Sequence, residues 1–161
     1  MNTDMPSRFG FHSLPFTREI RVADRFVHEL YERPREYLRR AVDKRMSGAL
    51  IAPAGTGKTT LLRALIDALP ESRYRVRYVK VTDLSKRDLC REIATAVGVA
   101  PAGTYPTLVR RLQERFANDL DVEAVRPVLF LDDGLGMRPE VLSLLRILTN
   151  FEMDSRLVLS F

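Results

Sequence analysis

Ala52-Pro53-Ala54-Gly55-Thr56-Gly57-Lys58-Thr59 is the stretch that decides the fold. It fits the phosphate-binding pattern G-x-x-x-x-G-K-[ST], with Ala52 in the place of the first glycine. That departure is mild, because the first position sits at a strand end rather than against a phosphate. The surroundings complete the physical logic. Gly48-Ala-Leu-Ile-Ala52 is a short apolar run that reads as a buried strand delivering the loop. Gly55 and Gly57 let the backbone turn so that its N–H groups face inward. A helix predicted over Lys58 to Leu69, with Leu61, Leu62, Leu65, Ile66 and Leu69 on one face, points its positive end at the same spot. Lys58 adds a full charge for β- and γ-phosphates, Thr59 offers a hydroxyl to Mg²⁺, and Thr60 either packs or caps.

A phosphate loop on a parallel sheet needs a carboxylate to hold the metal and a second group to orient water. Val128-Leu-Phe-Leu-Asp-Asp133 supplies four apolar residues followed by two acids. Asp132 is assigned to the metal and Asp133 to water.

Working outward, helices are predicted from Pro34 to about Arg45, over 86–97 with Gly98 as a C-terminal cap, from about Thr107 to Ala117, and from Pro139 to about Phe151. Strands are predicted at 74–81, whose arginines and lysine suit a sheet edge, at Val128–Leu131, and from Arg156 to Phe161. Strands alternating with helices imply a parallel sheet covered on both faces. The organisation expected is a lead with the start of the first helix over 1–33 and a partial core over 34–161.

Composition narrows the class. The 161 residues are 45% hydrophobic and 29% charged, ordinary for a globular domain. No run approaches the roughly 18 apolar residues of a membrane helix, and MNTDMPSRFG lacks the layout of a secretory signal. One cysteine, Cys90, and two histidines argue against an internal disulfide and a zinc site, so a cytoplasmic location is expected. Twenty-six basic against 21 acidic residues give +5, a mild lean toward anionic partners.

Beyond these motifs, Phe9-Gly-Phe-His-Ser-Leu-Pro-Phe16 and Leu144-Leu-Arg-Ile-Leu-Thr-Asn-Phe-Glu-Met-Asp-Ser155 resemble the ExeA-like branch of the AAA+ ATPases. Ser72-Arg-Tyr-Arg-Val-Arg-Tyr78 together with LTNFEMDS is similar to the mobile-element group related to the TniB and IstB helper ATPases. The resemblance implies an α/β P-loop NTPase of RecA/AAA+ type, a three-layer sandwich with strand order 5-1-4-3-2. The strands beginning at Gly48, Arg75, Val128 and Arg156 would be numbers one to four. It further implies that the core is incomplete at the C-terminus, without strand five or the helical lid. The first strand would then be an open apolar edge, and the chain is expected to be poorly soluble or to self-associate.

For function, the resemblance implies ATP and Mg²⁺ bound by residues 52–60, with Thr59 and Asp132 on the metal. In such ATPases hydrolysis is an in-line attack of water, with Lys58 holding charge and Asp133 polarising the water. Asp133 is one methylene shorter than the glutamate common there. Nucleotide binding without appreciable turnover is expected of this chain. The setting implied is a transposition helper that forms homo-oligomers on DNA beside a transposase. The alternatives are an ExeA-type ATPase of a secretion or pilus system, or a non-hydrolysing interaction module. Arg33, Arg35, Arg39, Arg40, Lys44 and Arg45, and Arg110, Arg111 and Arg115, are either DNA-phosphate faces or solvated helix faces. Phe11, Pro15 and Phe16 either line the adenine side or anchor the core. His12 and His28 are expected to ligate nothing.

Overall fold

The computed structural model describes residues 8–11, 17 and 20–161; His12, Pro15 and Phe16 lie outside them. Helix α1 (Glu29–Asp43) starts five residues before Pro34, where apolar spacing placed its beginning. His28 explains the early start: its Nδ1 accepts the Leu30 N–H at 3.2 Å and caps the first turn. Pro34 lies within the second turn and forfeits one backbone bond there. Acids three or four residues away offset the basic run. Arg33 pairs with Glu29, Arg35 with Glu32, and Arg39 and Arg40 with Glu36. These pairs favour the solvated-face reading.

After α1 come α2 (Lys58–Asp67), β1 (Tyr74–Lys80), α3 (Lys86–Ala96), α4 (Tyr105–Asp121), β2 (Arg126–Asp132) and α5 (Pro139–Thr149). The starts of α3 and α4 are set by hydroxyl caps, Ser85 accepting from the Asp88 N–H and Thr104 from the Thr107 N–H. Gly98, at φ 74°, ends the α3 segment in the left-handed conformation that only glycine adopts freely.

β1 and β2 pair in parallel, from Tyr74 opposite Arg126 to Lys80 opposite Asp132. Two expected strands do not form ladders. Residues 158–161 run beside β2 but make one bridge, Val128 with Ser160, through Leu129 N–H to Ser160 O at 2.9 Å and Ser160 N–H to Pro127 O at 3.3 Å. The run from Gly48 touches that strip only at its start, where the Gly48 N–H donates to Phe161 O at 2.9 Å. A ladder needs several consecutive residues alongside, and the neighbour reaches only the first of them. The contacts nonetheless lay the segments out in the sequence β1, β2, 158–161, then Ser47–Gly48. On the described residues β1 has a strand on one side only, in keeping with its charged character.

Side chains of β2 alternate between two cores. Val128 and Phe130 meet Leu38 and Val42 of α1 and Leu61 and Leu65 of α2. Leu129 faces the other way, into Leu89 and Ile93 of α3, Leu108, Leu112 and Phe116 of α4, and Leu144 and Leu148 of α5. Helices thus cover both faces, giving three layers. A Cβ at Gly48 would meet Leu38 Cδ2 at 2.8 Å, so a larger residue there requires that leucine methyl to shift. Cys90 is fully buried, and burial pushes its thiol up to about 11, so it packs rather than reacts.

Ile51, next to the loop, is 93% exposed. An extended, apolar, unpaired stretch is a template for another chain. The 161-residue chain is therefore expected to self-associate at micromolar concentration in light scattering, and Ile51→Lys to shift it toward monomer. A monodisperse wild-type monomer would refute this.

Candidate nucleotide-binding site

The loop that opens α2 is shaped by its two glycines. Gly55 and Gly57 have φ of 78° and 81°, a region costly for residues with a Cβ. Gly57 is also the N-cap of α2, and it brings no side chain to the helix end. The first N–H groups of α2 therefore keep their donor capacity toward the loop. Tyr31 of α1 lies over this point, its Cε1 3.5 Å from where a Gly57 Cβ would be. Thr56 closes the turn by donating its hydroxyl to Pro53 O at 2.8 Å.

Lys58 folds back over the loop, its Nζ donating to Ala52 O at 2.9 Å and Pro53 O at 2.8 Å. The ammonium thus sits inside the ring of residues that the pattern assigned to phosphate. Ala54 is exposed at the loop's tip, and Thr60 is half-buried on the first turn of α2.

Thr59 joins the loop to the sheet: its Oγ1 donates to Asp132 Oδ2 at 3.0 Å, across 73 residues of chain. Parity explains the meeting. Asp132 shares its β2 face with Val128 and Phe130, and that is the face α2 covers. Asp132 is buried, and its carboxylate is surrounded by donors. Besides Thr59, Tyr78 of β1 donates its hydroxyl to Oδ2 at 3.0 Å, and the Asp133 N–H donates to Oδ1 at 2.9 Å. Burial, and the hydrogen bond to the Asp132 carboxylate, push the Tyr78 phenol above its usual pKa, so it remains a donor at neutral pH.

Asp133 stands apart from its neighbour. Its φ of 58° turns the chain out of β2, and its exposed carboxylate pairs with Lys80 at 3.1 Å. The structure therefore brings together Lys58, Thr59, Asp132 and the backbone of 52–60, and leaves Asp133 at the rim.

Tyr78, Lys80 and Tyr31 escaped the sequence reading. For Tyr78 and Lys80 a signal exists: they lie two residues apart on a strand, hence on one face, and Lys80 stands opposite Asp132. It becomes visible only once the pairing register is known. Nothing in the sequence marks Tyr31.

Whether these residues suit ATP with Mg²⁺ can be judged from donor chemistry. A hydroxyl and a carboxylate in contact are hard oxygen donors, and Mg²⁺ is commonly held by one or two such groups plus phosphates and water. No cluster of three or more His, Cys, Asp or Glu suited to a metal exists among the described residues. The set fits a cation that arrives with a phosphate better than one held by protein alone.

The family profile described as AAA domain matches residues 39–161, which include the loop 52–60, Tyr78, Lys80, Asp132 and Asp133 but not Tyr31. The General secretion pathway protein A of Aeromonas hydrophila is 31% identical over 113 residues, 68% of this chain. The chain spans only 20% of that relative's length. No solved structure matches it. Among the described residues no helix is long and apolar enough to cross a membrane.

Proposed function

We infer, since this chain belongs to the AAA domain family of ATP-binding ATPase domains and has an α/β P-loop NTPase fold, that residues 52–60 cradle the triphosphate of ATP. The single observation that carries the reading is the hydrogen bond between Thr59 and Asp132, because it joins the phosphate loop to the acidic strand end. Lys58 exchanges its bonds to Ala52 O and Pro53 O for phosphate oxygens, a charge-assisted contact that is stronger than a neutral one. The N–H groups at the start of α2 add partial positive charge. Thr59 and Asp132 are the residues that would hold Mg²⁺, which would neutralise phosphate charge when bound. Asp133 is assigned to orienting the attacking water. It must leave Lys80 to do so, and both side chains are exposed enough to move.

We further propose the setting of an ExeA-type ATPase associated with secretion or pilus assembly, working as a homo-oligomer. The observation favouring it is the similarity to General secretion pathway protein A. The transposition-helper setting, with DNA and a transposase as partners, rests on the motif resemblance alone, and the arginines of α1 that would meet DNA are engaged by acids of the same helix. Calorimetry of the folded chain with ATP and Mg²⁺ tests the central reading. Saturable heat that shrinks when EDTA removes the metal is expected, and no heat with either would overturn it.

A further inference from the structure

We infer that Tyr78 is a positioning residue for the metal-binding pair, acting through Asp132; this rests on the nucleotide reading above. Asp132 Oδ2 accepts two hydrogen bonds, each 3.0 Å, from Thr59 Oγ1 and Tyr78 Oη. Oδ1 is tied separately to the Asp133 N–H at 2.9 Å. Of these donors, Thr59 belongs to the phosphate loop, the Asp133 amide belongs to a turn, and only Tyr78 is a side chain standing on the sheet.

That difference defines its role. Thr59 serves two neighbours, giving its proton to Asp132 while its lone pairs remain open to a cation. The threonine can hold that orientation only if the carboxylate holds its own. A carboxylate turns about a broad, soft terminal torsion, and two donors on Oδ2 with a third on Oδ1 restrict that freedom. The phenol is suited to the task because its oxygen sits at the end of a rigid ring. Pairing of β1 with β2 along seven residues fixes the base of that ring relative to Asp132. Tyr78 also keeps an exposed side, so its place is not explained by apolar burial. Phenylalanine would keep the ring and lose only the donor, leaving Oδ2 with Thr59 alone.

The test is a titration of the 161-residue chain with a fluorescent ATP analogue, in Mg²⁺ and in EDTA, for wild type and Tyr78→Phe. Partners that orient metal ligands typically contribute about 10- to 100-fold to metal affinity. The ratio of affinity with Mg²⁺ to affinity without it is expected to fall by about 10-fold in the variant. Affinity in EDTA and the circular dichroism spectrum are expected to stay unchanged. A purely structural tyrosine would lower both affinities together or neither, and either result overturns the inference. Asp132→Asn provides a second route: if Tyr78 acts through Asp132, adding Tyr78→Phe to it costs no further Mg²⁺ dependence, whereas additive losses overturn the inference. A wild-type chain that binds no analogue under either condition overturns the nucleotide reading and this inference with it. A magnesium-enhanced wild type with an indifferent variant overturns this inference alone.

Discussion

Replacing Lys58 with alanine is expected to lower affinity for ATP–Mg²⁺ by about 100-fold while leaving the chain folded. A hydrogen bond to a charged group contributes about 1.5–3 kcal/mol, and on the proposed reading Lys58 would supply two to phosphate. Two such contacts amount to about 3 kcal/mol, or two decades in affinity at 1.4 kcal/mol per decade. The folded state loses little, because the bonds from Nζ to Ala52 O and Pro53 O lie in a partly exposed loop. Those carbonyls can turn to water. Calorimetry against wild type, with circular dichroism on both, decides the matter. An unchanged affinity in Lys58→Ala would mean that the loop is not a triphosphate cradle.

Phe116→Ala is expected to have the largest effect on stability and little on the site. The ring is 2% exposed in the larger core, among Leu112, Leu129 and their neighbours. Removing a buried phenylalanine typically costs about 3–5 kcal/mol, part in lost transfer energy and part in the cavity left behind. Whole-domain stability is only about 5–15 kcal/mol, so the variant should unfold at a much lower urea concentration. The site draws its contacts from the opposite face of β2, with α1 and α2. The fraction that remains folded should therefore bind nucleotide normally. A shift in urea midpoint equivalent to less than about 1 kcal/mol would show that the core closes around the gap.

How much of this was legible beforehand depends on the range of the interaction. The loop 52–59 and the helix after it are local, and their glycines, lysine and apolar spacing announce them. Asp132 was legible for the same reason, as an acid ending an apolar run. The ends of α4 were not, because the helix continues to Asp121 past the Ala117 expected from spacing, carried by buried Asp119 and by Leu120, which packs on the larger core. Its start at Tyr105 is set by the Thr104 cap inside a stretch rich in turn-formers. In α1 the proline at 34 was misleading, since it marks the interior of a helix begun by a histidine cap. The runs at Gly48 and Arg156 have strand composition but no full ladder. Composition reports what a residue tolerates, whereas a ladder depends on what lies beside it. Tyr78 shows the same limit at the site, because its role depends on a pairing register that no local pattern carries.

The strip at 158–161 joins β2 on one side and Ser47–Gly48 on the other, linking positions 114 residues apart. It therefore acts as a spacer. Adjacent strands lie about 4.8 Å apart, so one interposed strip holds β2, at the level of Val128, roughly 10 Å from Ser47–Gly48. That spacing is set by residues outside the loop 52–60 and the acidic pair 132–133. Substitutions at Leu159 or Ser160 would shift the two segments that lead into the loop and into Asp132, and on the proposed reading they would present as binding defects although they lie outside the motif.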